Sequence, residues 1–350
     1  MDRPPPKRLR RLPLKRAPPA ARQSRFRGGR LIVALWVLAG AALADDRFSG
    51  QVRAHQEQVQ GAAPPSTDTL DTELRGHWQA FSGNVVLTQQ RFNGGEWHGD
   101  ATVNELYASG EALGWQWSGG RKIVAWDVGH GFRPNDVVQQ EQRRTLLPTT
   151  PQGRGVVQAE HFDADTAWTL VWVNPRSDAA SGGDEEAVAA RVYRRIGAAD
   201  WHGFARVGEH SRGSIGAATS WVATDSVELH ASARRTSQSH LTQALVGATW
   251  TGESKLSLTA EAWSDGSAAP PQPRRNVYLR AAWEHEGWQP VVDLLLVPAD
   301  HGRIVTAALG RQGDRWRFDG GLRWYGGPDG AAITRLPTRR IAYAAATWPF

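Results

Sequence analysis

Apolar and polar residues alternate along this chain in short windows, each closed by turn-forming residues. Val277, Leu279, Ala281 and Trp283 share one face, opposite Tyr278, Arg280, Ala282 and Glu284. Leu256, Leu258, Ala260 and Ala262 oppose Ser257, Thr259, Glu261 and Trp263, and Val227, Leu229, Ala231 and Ala233 oppose Glu228, His230, Ser232 and Arg234. Trp316, Phe318, Gly320, Leu322 and Trp324 oppose Arg317, Asp319, Gly321 and Arg323. Successive side chains on a strand point to opposite faces, so each window predicts a strand with two unlike sides. Helical periodicity does not compete in these windows.

The beat predicts strands near 47–59, 69–81, 85–93, 101–111, 113–126, 155–162, 166–174, 187–197, 201–210, 214–224, 226–235, 241–251, 255–264, 276–287, 289–298, 303–312, 316–325 and 339–350. The stretch 155–162 reads more weakly and is compatible with a loop. Turns such as Gly252-Glu253-Ser254 and Ala198-Ala199-Asp200 join neighbours without helices. Longer connections are Gly61–Asp68 with Pro64-Pro65, Ser177–Glu186, and Ser264–Arg275 with three prolines.

The first 44 residues follow other rules. Eleven Lys/Arg and one acid, Asp2, occupy the first 30 positions, and an apolar run from Leu31 leads to Ala42-Leu43-Ala44 before Asp45. A basic region, a short apolar run and a small-x-small site predict a signal peptide cleaved near Ala44. The apolar run is shorter than the ~20 residues a spanning helix needs. The long basic region also raises the possibility that Met1 is not the true start. The full chain carries 41 basic and 35 acidic residues, and without the leader 30 and 34 remain. The mature part is then slightly acidic, which removes the footprint of a nucleic-acid binder. No cysteine is present, so disulfide scaffolds and thiolate chemistry are excluded.

Residues 45–350 predict one all-β domain. A β-sandwich also alternates, since its strands have one buried and one wet face. Short turns, a charged polar face and sixteen tryptophans beyond the leader favour a barrel. Trp97, Trp126, Trp201, Trp250, Trp263, Trp283, Trp288, Trp316 and Trp324 fall near strand ends, where aromatic girdles would sit. Lipid offers backbone groups no partner, so strands that cross a membrane must close. The predicted fold is a transmembrane antiparallel up-and-down β-barrel of sixteen to eighteen strands, fourteen at the least. Long loops are expected on the extracellular side and tight turns on the periplasmic side.

The last strand places Ala342, Ala344, Ala346, Trp348 and Phe350 on one face, and Tyr343, Ala345 and Thr347 on the other. With the leader, this ending resembles the closing strand of Gram-negative outer-membrane barrels. The resemblance implies that the barrel-insertion machinery reads Phe350, and that the chain sits among outer-membrane lipid. Pro349 lacks an N–H and must stand where the ladder needs no donor.

One stretch breaks the beat. Gly120-Arg121-Lys122-Ile123-Val124-Ala125-Trp126 reads as a strand, and Asp127-Val128-Gly129-His130-Gly131-Phe132-Arg133-Pro134-Asn135-Asp136 interrupts it with glycines and Pro-Asn-Asp. Asp136 is placed to cap a short helical turn through Arg144. This segment, 127–153, is loosely similar to the lumen loop of substrate-selective channels of the alginate-export and carbohydrate-porin kind. The resemblance implies that it folds into the bore and that its arginines select anions. Arg121, Arg133, Arg143 and Arg144 then become candidate selectivity residues, with Asp136 and Glu141 holding them. Charge rings and a narrowed bore set what passes a channel. A balanced loop whose charges pair with one another is the plain alternative.

Lipid-deacylating barrels place a His-x-Ser pair on one strand. His230-Ala231-Ser232 has that spacing, but alternation turns it into the lumen, away from lipid. His210 and Ser211 are adjacent and face opposite ways. The eleven histidines show no metal-ligand spacing and no phosphate-cradling loop is present, so neither enzyme chemistry nor a cofactor is expected. The reading is an outer-membrane, porin-like channel for passive passage of a small polar or anionic solute or an exported polymer. A non-conducting barrel serving as a structural or assembly component of an envelope export system is the alternative, and a lipid-modifying hydrolase is a remote third.

Overall fold

The computed structural model describes residues 47–350 except 63, 142, 177–183, 238–239 and 270–271; the leader lies outside the described residues. Alternation produces eighteen strands. They are β1 (Phe48–Gln60), β2 (Ser66–Trp78), β3 (Phe81–Phe92), β4 (Trp97–Ala112), β5 (Trp115–Lys122), β6 (Arg154–Phe162), β7 (Thr166–Val173), β8 (Ala187–Ile196) and β9 (Ala199–Gly208). The second half holds β10 (Arg212–Thr224), β11 (Val227–Thr236), β12 (Thr242–Thr251), β13 (Leu256–Asp265), β14 (Arg275–Trp283), β15 (Trp288–Val297), β16 (Gly302–Gln312), β17 (Arg317–Gly326) and β18 (Arg340–Pro349). Each pairs antiparallel with its chain neighbours, and β1 pairs with both β2 and β18. The sheet is a closed up-and-down barrel without a free edge.

The rim at which β1 begins and β18 finishes is called proximal here, the opposite rim distal. Every proximal turn has two to four residues, whereas the distal connections include 123–153, 174–186, 266–274 and 327–339. The proximal turns carry the backbone that tight hairpins need. Leu113 and Gly114 both have positive φ, at 56° and 73°, as a type I′ turn requires. Gly197 (φ 61°) leads the turn between β8 and β9, the glycine-first pattern of type II′. That turn is Gly197–Ala198, since Ala199 and Asp200 already belong to β9.

Most outward positions are apolar, with exposed glutamines on β1 the main exception, and they grade into aromatics at the proximal rim. Val188, Val207, Ile215, Val246 and Leu258 are exposed on the outer wall. Phe48, Trp78, Phe81, Trp201, Trp221, Trp283, Trp288 and Trp316 form an exposed proximal ring, and Trp97 is exposed near the distal rim. Two of the tryptophans expected in the girdle are inside instead. Trp126 is buried in the segment after β5, and Trp263 faces the lumen on β13 because it shares a parity with Glu261.

Three strands end three or four residues earlier than their patterns suggest: β2 stops at Trp78, β5 at Lys122 and β14 at Trp283. The weak window near 155–162 is strand β6 in full. Closure at the last residues follows from register. Gly50 and Phe350 exchange both backbone hydrogen bonds at 2.8 and 2.9 Å, so Pro349 faces the β17 side. The β17 ladder has already ended at Arg317 opposite Thr347, so no donor is missed there.

Candidate functional site

The connection between β5 and β6, residues 123–153, lies inside the barrel and touches its wall nearly all the way round. Its first anchor is apolar. Val124, Trp126, Val137 and Val138 pack on Val156, Val171, Val173, Ala187, Ala189, Phe204 and Ala218, the lumen face of β6 to β10. Those strands are apolar on both sides; on β7, Leu170 and Trp172 face out while Val171 and Val173 face in. An apolar lumen wall is unsuited to water, and the insert covers it. A second contact seats Phe132 against Leu245, Trp263, Tyr278 and Leu295, with the Phe132 and Trp263 rings 5.7 Å apart. A third sets Leu147 on Tyr343 and Ala345 of β18.

Polar anchors hold the shape between these contacts. The Asp136 carboxylate accepts the backbone N–H groups of Trp126 (2.8 Å) and Asp127 (2.9 Å) and pairs with Arg133 at 2.6 Å. Among the described residues no helix forms around it: Asp136 caps a fold-back of the chain on itself, and 137–141 runs on irregularly. The expected helical turn therefore loses to a carboxylate that accepts N–H groups nine and ten residues upstream, and that of Glu141 at 3.1 Å. Asn135, fully buried, donates to Ala217 O (3.1 Å), Ser232 Oγ (2.9 Å) and Ala233 O (3.0 Å) on β10 and β11. Its amide oxygen lies over Gly216, where a β-carbon would overlap it, so glycine is required by close approach. Ser232 Oγ in turn donates to Asp127 at 2.9 Å. Burial pushes the Asp127 carboxyl above its ordinary value, opposed by hydrogen bonds from Ser232, Asn135 and Val128.

Glu261 on β13 forms the third polar anchor. It accepts the backbone N–H groups of His130 (2.7 Å) and Gly131 (2.6 Å), and His230 Nε2 lies 2.8 Å from its Oε1. The remaining length is tied down round the far wall. Arg323 Nη2 donates to Arg144 O at 2.9 Å, Arg53 to Pro148 O, Thr150 to Glu73 at 2.8 Å, and Gly153 N to Asn104 O at 2.8 Å.

What the insert leaves open lies against β14 to β18. A cavity of about 400 Å³ on its distal side is lined by Phe132, Arg144, Tyr278, Leu295, Ile304 and Arg323. A second, of about 500 Å³ on its proximal side, is lined by Arg280, Gln289, Gly310, Arg317, Asp319 and Tyr343. Glu141, Arg143, Thr145, Asp293 and Thr306 line both. The two cavities thus share a lining of mixed charge. Most charges there are matched: Arg280 with Asp293 at 2.9 Å, Arg317 with Asp319 at 2.9 Å, Arg143 with Glu141 at 3.2 Å. Arg144 and Arg323 have no ion pair among the described residues. Arg144 lies 5.5 Å from the Trp263 ring centre, and Arg323 Nε donates to Thr306 Oγ1 at 2.9 Å. Burial chiefly lowers the Arg144 pKa, and the Arg323 charge acts the same way. Two adjacent cations with no direct ion pair, beside Glu141 and Asp293 that pair with other arginines, leave the distal cavity with positive charge to offer an anion.

The six residues singled out from sequence divide by environment. Arg143 and Glu141 line both cavities and Arg144 the distal one. Arg133 lines the distal cavity but is buried, with Asp136 as its bidentate partner and Glu141 at 3.4 Å. Asp136 is structural in the way just described. Burial would raise the Glu141 carboxyl, yet Arg143 and Arg133 hold it below its ordinary value. Arg121 is exposed outside both cavities and donates to Gly153 O at 2.9 Å, clamping the base of the insert. Arg323, Glu261 and Asn135 also belong to the site, and no local sequence pattern marks them. Their partners lie 179, 130 and 97 residues away, beyond any local pattern. The His230 and Ser232 side chains both face the lumen and are engaged with Glu261 and Asp127.

A closed eighteen-stranded barrel with a lumen insert between two cavities has the architecture of a porin-like barrel. Among solved structures, two variants of the Rh. blastica porin superpose with a TM-score of 0.50 at 13% identity, covering 87% of this chain and 99% of theirs. The Escherichia coli protein Wzi, an outer-membrane protein involved in group 1 capsule assembly and a carbohydrate-binding β-barrel, superposes with a TM-score of 0.58 at 10% identity, covering 92% of this chain and 88% of that one. At such identities the likeness is one of fold. No family model matches the chain, and no curated protein matches it in sequence.

Proposed function

We propose that the chain is an outer-membrane channel that passes small anionic solutes along β14 to β18, with the insert as its constriction. The supporting observation is the pair of cavities that share Glu141, Arg143, Thr145, Asp293 and Thr306, with Arg144 and Arg323 unmatched beside them. On this reading the short proximal turns face the periplasm and the long distal connections face outward. Permeation needs no covalent step; the fixed charges set the local ion concentration. The test is the reversal potential in planar bilayers under a KCl gradient. The intact barrel is expected to favour chloride, and the Arg144→Ala, Arg323→Ala double variant to lose that preference. At ~6 Å and an effective dielectric of ~40, each cation attracts an anion by about 1.4 kcal/mol. Removing both lowers relative anion permeability at most about 100-fold at low salt, and far less at 1 M. An unchanged reversal potential would sink the assignment.

A second reading keeps the barrel in the membrane but closed, as a carbohydrate-binding or assembly component. It is favoured by the insert's attachment to the wall at β1, β2, β4, β10, β11, β13, β17 and β18, and by the fold likeness to Wzi.

A further inference from the structure

Most outward-facing arginines stand near the distal rim, while Arg194 on β8 and Arg311 on β16 stand at the proximal one. Arg235 on β11, Arg275 on β14, Arg303 on β16 and Arg340 on β18 share a parity with the outward residues Leu229, Leu279, Leu309 and Ala344. All four are exposed, and none makes an ion pair among the described residues. Arg275 lies eight positions along its strand from Trp283, and Arg340 eight from Trp348, both at the proximal rim. A tilted strand rises ~2.5 Å per residue along the barrel axis, which sets these guanidinium groups ~20 Å above the proximal ring. An outer-membrane barrel exposes an apolar band of ~25 Å, so the arginines fall at its far edge, at head-group level.

Two of them flank an indole. Arg340 is in register with Trp324 on β17, and Arg303 pairs with Gly326 two positions further on. Below them the outward positions turn small: Ala307, Gly320, Ala342, Ala344 and Ala346. Leu309, Leu322 and Phe318 stand proud on the same strands. The wall of β16 to β18 therefore offers two free cations and an indole above a shallow trough.

We propose that this wall, Arg303–Trp324–Arg340 with the trough beneath, binds a lipid of the surrounding distal leaflet whose head group carries phosphate. Guanidinium forks bond phosphate oxygens, the indole sits at the head-group boundary, and the trough receives acyl chain. The occupant is a lipid and not free phosphate, because the cations stand at the top of an apolar wall that only a chain-bearing ligand covers. The inference rests on the reading of the outer wall as lipid-facing and is independent of conduction through the bore.

The experiment adds bis-phosphorylated lipid A, or the same lipid stripped of its phosphates, to the detergent-solubilised full barrel and counts retained lipid by native mass spectrometry. The phosphorylated lipid is expected to be retained and the stripped one lost. In Arg303→Ala, Arg340→Ala, retention falls about 30-fold, since each arginine near a charged surface contributes a factor of roughly five. The Lys–Lys double variant restores most of it, and Arg194→Ala, Arg311→Ala at the proximal rim leaves it unchanged. Equal retention of both lipids, or unchanged retention in the distal double variant, overturns the site. Conductance of the intact barrel is read in parallel: absence of channel steps counts against the channel reading alone, while the lipid counts still decide this site.

Discussion

Replacing Asn135 with alanine isolates the tip of the insert from the rest of the barrel. The side chain is fully buried and shares its two amide hydrogens among Ala217 O, Ser232 Oγ and Ala233 O. Each such bond contributes on the order of 1 kcal/mol net, so the deletion weakens tip attachment by about 2–3 kcal/mol. That raises the population of detached tip roughly 30- to 150-fold. The strand ladders do not involve this side chain, so heat-modified gel mobility should match the parent. Neither do the apolar contacts of Trp126, Val137 and Val138. Limited proteolysis at 127–140 and open-channel current noise are the assays. Faster cleavage and greater noise are expected. Asn135→Asp should do worse than alanine, because it sets a carboxylate against Asp127 and two carbonyls. Parent-like cleavage and noise in both variants would refute the claim that this residue pins the tip.

Glu261→Gln tests the anchor on β13. The carboxylate accepts two backbone N–H groups and faces His230, and an amide can accept at only one of its ends. A loss of about 2–4 kcal/mol in insert attachment is expected, read as faster hydrogen exchange at His130 and Gly131; parent-like exchange would contradict it. Glu185, in the distal connection before β8, is held at a pKa of about 2: burial would raise it, but hydrogen bonds from Ser211 and His210 and its pairing with Arg206 prevail. A carboxyl depressed in the fold stabilises it above the unfolded value near 4.5, and this contribution disappears as pH falls toward 2. Thermal midpoints should therefore drop between those limits in the parent and less in Glu185→Gln; equal slopes would refute the role.

The barrel was legible because membrane strands repeat a two-residue rule with little interference. Windows such as Leu256–Trp263 keep one face for lipid and one for the lumen, and register follows from adjacent turns. The end of β5 was not legible, since Ile123-Val124-Ala125-Trp126 continues an apolar strand pattern. Those residues leave the sheet because the lumen wall of β6 to β10 gives them a larger apolar surface. Trp263 reads as girdle by composition and sits inside by parity. The break at Gly129–Asp136 marked the insert, yet its shape depends on Ser232, Glu261 and Arg323, which look like ordinary lumen residues until the barrel closes. Arg143 and Arg144 are neighbours in sequence but differ in fate: one pairs with Glu141, while the other is left free beside an arginine 179 residues on.

On the proposed channel reading the insert narrows the bore without sealing it. Single-channel conductance of the intact barrel, compared with a variant in which 127–150 is replaced by a short Gly-Ser linker, tests it directly. Discrete chloride-favouring steps are expected from the intact protein, with steps at least about twofold larger and nearly unselective after the replacement. A silent intact barrel beside a conducting replacement would make the insert a plug and rule out permeation through the native bore.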